Sequence, residues 1–451
     1  MGTLIVRTDP PEGAADNRWT IAIAASVVML IIGTIYSWAI FTQPLLMVFQ
    51  WDLTTTTWAY AIANFSLAAV GAVCGGFWQD RFGPRKVAMT GVALWGAGNF
   101  LAGLGTPTFG VPWLYLTYGL VGGIGAGMAY ITPLAVVSKW FPDRRGLAGG
   151  LVVAGFGLGA FIYNQWIPRL DSFHAVAVHA GNAIAARASL GPSGAALPIA
   201  ADIGAVMHVF MVSGLVFLGV GLPAASLLRN PPRGYVVRQH QHAPTIWANG
   251  GGYPPSKVLT MPVFYLLWLQ LFANVVAGIT IISNAVFILS DLTSISPAGI
   301  APLFGIVSIF NALGRFFWGA ISDRIGCSKT FAAMFVVQAA TLFLLSNAHD
   351  LRIALAGFSV VLLCCGGGFG TMPSYNAQCF GTKYMGLNYG LVLSAWGVAG
   401  LVGPIVVARA KDLGGSFSSM MPLIAIVLLA SVILPVLTRR WAPAVHSAPA
   451  L

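Results

Sequence analysis

The chain has 451 residues, of which 57% are apolar and only 8% charged, and its formal net charge is +11. That balance lies far outside the range of soluble globular domains and places the chain in a bilayer. The excess of cations suggests nucleic acid only until their positions are considered, because they track the membrane instead.

In chain order, apolar stretches long enough to cross roughly 30 Å of hydrocarbon are read at 20–46, 57–79, 86–105, 113–138, 146–167, 204–228, 260–290, 298–320, 331–347, 352–378, 385–408 and 418–437, numbered spans 1 to 12. The first 18 residues carry Asp9, Glu12 and Asp16 and lack the apolar core and cleavage site of a signal peptide, so span 1 is expected to remain in the mature protein. With the N-terminus inside, seventeen Lys and Arg residues fall on the cytoplasmic side, against five outside (Arg169, Arg187, Arg352, Arg409 and Lys411). This positive-inside bias predicts a multi-pass plasma-membrane protein with both termini cytoplasmic, and the compact loops fit a bacterial inner membrane. No nucleic-acid partner is implied. Cys74, Cys327, Cys364, Cys365 and Cys379 show neither metal-ligand spacing nor an extracellular pairing pattern, so they read as structural thiols, and no metal or cofactor is expected.

Two segments interrupt the succession of spans. Residues 229–258, with Asn230-Pro-Pro-Arg-Gly-Tyr235 and a Gly-Gly-Gly-Tyr-Pro-Pro run, form a breaker-rich cytoplasmic linker between units 1–228 and 259–451. The outer loop 169–205, rich in Ala and Gly, reads as a tolerated surface insertion rather than a cover for an outer vestibule, with His174 and His179 as solvated bystanders.

The two units are copies. Gly76-Phe-Trp-Gln-Asp80-Arg81-Phe-Gly83-Pro-Arg85-Lys86 recurs as Gly319-Ala-Ile-Ser-Asp323-Arg324-Ile-Gly326-Cys-Ser-Lys329, with the aspartates 243 residues apart. Gly150-Leu-Val recurs as Gly390-Leu-Val at the close offset of 240 residues. Parallel six-span halves of this kind enclose a cavity near the midplane and rock about it to alternate access. Asp80, Arg81, Gly83, Arg85, Asp323, Arg324 and Gly326 are therefore candidate gating residues. The repeated pattern resembles that of the major facilitator superfamily, which implies twelve transmembrane helices in two pseudo-symmetric six-helix bundles, an all-α membrane protein.

On span 8, Ser308, Asn311 and Arg315 share one helical face. No Asp, Glu or Lys lies within any other apolar span to neutralise Arg315. An arginine at mid-bilayer costs from about 2.5–3.5 kcal/mol on insertion scales to above 10 in simulations, so its natural counter-ion is a cargo that comes and goes. Guanidinium is a planar fork that matches a carboxylate bidentately. The plainer reading is that Arg315 snorkels to the cytoplasm or pairs with Asp80 or Asp323. Tyr36 and Trp38 on span 1, Tyr130 on span 4, Asn284 on span 7, Phe369 on span 10 and Trp396 on span 11 are candidates to line the cavity, each also suited to ordinary helix packing. The glycine runs at 122–127 and 155–159 follow no strand and precede no Lys-Ser/Thr, so they serve close helix packing rather than phosphate binding.

Several stretches carry a sharper resemblance: Tyr36-Ser-Trp38 before Gln43-Pro44, Trp140-Phe-Pro-Asp-Arg-Arg-Gly-Leu-Ala, Asn230-Pro-Pro-Arg-Gly-Tyr235, and Arg315-Phe-Phe-Trp-Gly319 with Asp323. Together they resemble the oxalate/formate antiporter family, a relative of the monocarboxylate transporters. The resemblance implies that Arg315 clasps the substrate carboxylate, that Tyr36, Trp38 and Tyr130 line the site, and that Asn311 stands where animal monocarboxylate transporters have an aspartate. The chain departs from the antiporter pattern at Trp396, which replaces a second cation, at Cys365, which replaces a Trp, and at Phe156 and Phe369, which replace Tyr. One cation facing an indole suits one carboxylate with a short carbon tail, because a dianion would bury an unpaired charge.

The expected function is secondary transport of small organic anions, foremost lactate- or pyruvate-like monocarboxylates, by proton symport or anion exchange. An oxalate:formate-type antiporter and an efflux facilitator for other anions are the alternatives. A receptor would need an effector domain that the polar segments are too short to supply, and an enzyme would need a nucleophile with an acidic partner at membrane depth. The expected partners are the carboxylate, the lipid bilayer and protons as candidate coupling ion, in a monomer.

Overall fold

In hydrocarbon every backbone polar group must be satisfied within the chain, which leaves apolar runs of this length the helix as their form. The computed structural model describes residues 14–51, 53–170, 173, 200–232, 235, 251–293, 307, 309–348, 350–412 and 417–442. Among them the chain is helical apart from turns and one isolated bridge between Gly252 and Gly381.

The N-terminal half comprises α1 (Ala14–Gly33), α2 (Ala39–Phe49), α3 (Leu53–Phe65), α4 (Ala72–Phe82), α5 (Pro84–Phe109), α6 (Val111–Leu114), α7 (Gly123–Trp140), α8 (Arg145–Trp166) and α9 (Ala200–Ser226). The C-terminal half comprises α10 (Pro255–Val258), α11 (Pro262–Thr293), α12 (Ile309–Ile325), α13 (Cys327–Leu345), α14 (Leu351–Phe380), α15 (Met385–Asp412), α16 (Phe417–Ser431) and α17 (Ile433–Trp441). Ten helical runs among the described residues are long and apolar enough to cross a membrane. With α12 and α15 they account for all twelve expected spans, in two pseudo-symmetric six-helix bundles.

Span 1 is not one straight helix. It breaks into α1 and α2 around a 3-10 turn, Thr34–Ser37, where Gly33 presses on the backbone of Phe156 and the Thr34 hydroxyl donates to the Ile31 carbonyl at 2.7 Å. Spans 2 and 4 each contain a π-helical stretch, Ser66–Gly71 and Tyr115–Gly122, which shifts the register of side chains along one helix. Between Leu170 and Ala200 only Phe173 is described, and it packs edge-on against Phe41; His174 and His179 lie outside the described residues.

Gly83 and Gly326 end α4 and α12 at φ +87° and +88°, a conformation that L side chains rarely adopt, and α5 and α13 start at the next residue. The repeated motif thus codes for a turn as well as for charge. Between the halves, α8 runs along α12 and α14, and α4 along α15. These two seams position the site.

Candidate binding site and gate

Arg315 is only 1% exposed, on the helix that lies in one seam. A methyl group added at Gly150 of α8 or at Gly370 of α14 would collide with the Arg315 carbonyl, so α12 is wedged between two glycines that admit its backbone. Its side chain is held from both halves. Asn311 Oδ1, one turn earlier, accepts from Nε at 3.3 Å and from Nη2 at 3.1 Å, and the Val153 carbonyl of α8 accepts from Nη1 at 3.1 Å. A guanidinium has five N–H donors. These bonds leave two of them with no acceptor among the described residues.

The cation is also stacked. Its Cζ lies 5.1 Å from the ring centroids of both Phe156 on α8 and Phe369 on α14, one ring from each half. Each such contact contributes about 0.5–1 kcal/mol, and about 2 when desolvated. Neither aspartate of the repeated motif pairs with Arg315, so the plainer reading of a gate-bound arginine does not describe this geometry. The ion pair found among the described residues is Arg18–Asp143, at 3.2 Å.

Around Arg315 the rings form a cage. Trp396 on α15 meets Tyr36, Tyr130, Phe156 and Phe369 at centroid distances of 5.8, 5.8, 6.0 and 5.2 Å. Phe156 in turn meets Tyr36 at 5.0 Å and Tyr130 at 5.4 Å. Five of the residues expected from the sequence, Tyr36, Tyr130, Asn311, Phe369 and Trp396, therefore converge on Arg315. Trp38 does not. It packs at 4.8 Å on Tyr118 and at 6.4 Å on Phe210 inside the N-terminal bundle, because two helical residues turn its direction roughly 200° from that of Tyr36. Ser308 and the side chain of Asn284 lie outside the described residues.

Phe156, Cys365 and Tyr389 join these residues around Arg315. Phe156 faces the cation. Cys365 interacts with both Asn311 and Arg315, and it fills the space beside Gly278 of α11. Tyr389 lies two turns before Trp396 on the same face of α15, and it is buried within reach of Tyr130 and of the Arg315 charge. Its seven-residue spacing from Trp396 was the available signal.

At one end of the bundle the repeated motif closes both seams. The Asp323 carboxylate accepts from the Gly146 and Leu147 N–H groups, each at 2.7 Å, in the first turn of α8. The Asp80 carboxylate accepts from the Gly386 N–H at 3.2 Å and the Leu387 N–H at 2.9 Å, in the first turn of α15. Each half thus places a carboxylate on the positive end of a helix in the other half. Arg81, which lies over the Phe82 ring, and Arg85 and Arg324 are exposed at the same end.

The linker joins this end on both sides. Tyr235 donates to the Trp140 carbonyl at 3.3 Å, and Trp140 Nε1 donates to the Arg229 carbonyl at 2.7 Å. Burial raises the Tyr235 phenol above its ordinary value while the Arg18 guanidinium pulls it down. In the C-terminal half the Tyr253 N–H donates to the Phe380 carbonyl at 2.9 Å, and the Thr382 N–H donates to the Gly251 carbonyl at 3.1 Å.

Two matched helical halves, a buried cation where they meet, and seams latched reciprocally at one end define a multi-pass membrane carrier. The model of the Major Facilitator Superfamily matches residues 19–164, 177–404 and 275–450, and the chain belongs to that family: it is a secondary transporter, not an enzyme. It is 28% identical to the oxalate:formate antiporter of Oxalobacter formigenes over 401 residues, 88% of this chain and 86% of that one. It is 24% identical to apicoplast pyruvate carrier 1 of Toxoplasma gondii, over 87% of this chain and 72% of the carrier. A shorter match, 30% identical over 36% of this chain and 38% of the other, is to monocarboxylate transporter 13 of Rattus norvegicus. Among solved structures the fold is similar to that of FucP in its outward conformation, with TM-score 0.67 at 14% identity over 93% of this chain and 98% of that one.

Proposed function

We propose that the protein carries small organic monocarboxylates, lactate- or pyruvate-like, across the membrane by alternating access, with Arg315 as the carboxylate clamp. The observation that carries this reading is the state of Arg315: buried, stacked between Phe156 and Phe369, with two N–H groups lacking an acceptor among the described residues. A carboxylate satisfies both N–H groups and the charge at once. Asn311 orients the fork, and Tyr36, Tyr130 and Trp396 supply the wall for a short carbon tail. Asp80 and Asp323 hold the gate at the end where the basic loops cluster. By the positive-inside bias that end is cytoplasmic, which puts both termini in the cytoplasm and the closed gate on the inner face. Units 1–228 and 259–451 are the rocking bodies, joined by 229–258.

The length of the match to an oxalate:formate antiporter supports a second reading, exchange of a dicarboxylate for a monocarboxylate. Against it stands Trp396, an indole where a second carboxylate would need a cation.

Uptake of labelled L-lactate into proteoliposomes tests both. Entry driven by an inward proton gradient into empty vesicles identifies a proton-linked carrier. Entry restricted to vesicles preloaded with lactate or formate identifies an exchanger. Arg315→Gln and Arg315→Lys are expected to abolish uptake by protein that still purifies as a single species, and normal uptake by either would end the clamp reading.

A further inference from the structure

We propose that the hydroxyls of Tyr130 and Tyr389 form a second pole of the site that reads an oxygen on C2 of the substrate. The substrate class is then 2-hydroxy and 2-oxo monocarboxylates, with plain short fatty acids rejected. This rests on the reading of Arg315 as the carboxylate clamp.

The two hydroxyls come from opposite halves, Tyr130 from α7 and Tyr389 from α15, and adjoin one another. Both are fully buried; they interact with one another at more than ordinary hydrogen-bond distance, and neither makes a closer bond. Both lie within reach of the Arg315 charge. The Tyr130 ring is fixed by Phe156 and Trp396, which leaves its hydroxyl little freedom to turn away. Buried phenols are ordinarily hydrogen-bonded, and two left open beside an open guanidinium fork outline a ligand with a carboxylate and one more polar atom.

The donor and acceptor pattern narrows that atom. A tyrosine hydroxyl both donates and accepts. Toward a 2-hydroxy acid, one tyrosine accepts the substrate O–H while the other donates to the same oxygen. Toward a 2-oxo acid, both donate to the carbonyl. A methylene at C2 does neither and leaves the two phenols with only each other. Sites built to bond a hydroxyl discriminate strongly against analogues that lack it, for this reason. The pair spans the halves, so it also registers whether they are closed on the cargo.

The test titrates the purified full-length carrier with L-lactate, pyruvate and propionate, read by intrinsic tryptophan fluorescence. The wild type is expected to bind lactate and pyruvate at least about tenfold more tightly than propionate. Tyr389→Phe, which removes one oxygen and little volume, is expected to weaken lactate about tenfold and leave propionate unchanged. Tyr130→Phe repeats the measurement from the other half and decides the matter alone if the first variant fails to fold. Equal affinity of the wild type for all three acids overturns the proposal, as does a tyrosine variant that loses propionate and lactate alike. Arg315→Gln is expected to lose all three. A wild type that binds none of them removes the clamp reading and this proposal with it, whereas equal binding of all three removes only this one.

Discussion

At the scale of single residues, the site is a cation with no carboxylate partner among the described residues. Asn311 is the lever on that condition, because its Oδ1 already sits 3.1 Å from Arg315 Nη2. Asn311→Asp puts a carboxylate at the same place, and an acid beside an arginine has a depressed pKa, so it stays ionised at neutral pH and competes with the cargo. The expected outcome is at least a tenfold loss of lactate affinity at neutral pH, recovered as the pH falls through the new carboxyl's pKa and its proton frees the guanidinium. Affinity titrations at several pH values check it. Asn311→Ala gives a different result, because it frees the side fork without adding charge, and its loss should not depend on pH. Arg315 and Asn311 were legible in the sequence, since one charge in a long apolar run stands out and a four-residue spacing places Asn311 on its face. The pairing of Tyr389 with Tyr130 was not legible, because it joins two halves that are far apart in sequence.

At the scale of elements, the seams depend on helices that touch through backbone. Gly150 and Gly370 leave room only for hydrogen against the Arg315 carbonyl. Gly370→Leu is therefore expected to push α12 aside and abolish lactate binding with Arg315 still present, a loss that binding titration on the folded variant measures. The carboxylates of Asp80 and Asp323 are worth about 1 kcal/mol each, the upper end of the range for an exposed charge on a helix terminus. Asp80→Asn and Asp323→Asn are each expected to speed hydrogen exchange about fivefold at the amides they hold, Gly386 and Leu387 in one case and Gly146 and Leu147 in the other. Exchange that stays unchanged would mean the gate is held by glycine packing alone. The spans themselves were easy to read, because long apolar stretches admit little else in lipid. The 3-10 turn after Gly33 and the two π stretches were not, because they answer to neighbouring helices. Placing Trp38 with Tyr36 followed the resemblance and not helix geometry, which turns residues two apart to opposite sides.

At the scale of the whole molecule, the linker is anchored twice, at Tyr235 on the N-terminal half and at Gly251–Tyr253 on the C-terminal half. The two anchors mirror each other: Trp140 and Phe380 both end the helix that precedes the latched one. Each end of the linker thus belongs to the half it adjoins. A protease site placed between residues 243 and 244 and cut after reconstitution is expected to leave lactate uptake at its uncut level, since both anchors and both seams survive the cut. Loss of uptake on cutting would make the linker a working part of the cycle.

The duplication that built this chain copied its hinges but not its chemistry. The 243-residue offset that carries Asp80 onto Asp323 carries Ala72 onto Arg315. The backbones still correspond there: Gly390 lies against the Ala72 carbonyl as Gly150 lies against that of Arg315. Motion is therefore close to two-fold while recognition is one-sided. With Arg315 as the clamp proposed above, a cargo arriving from either face of the membrane meets the same cation on the C-terminal body and sits in one orientation. It never has to turn around in transit, and the carrier can run forwards or backwards with a single set of contacts, leaving the direction of flow to the gradients outside it.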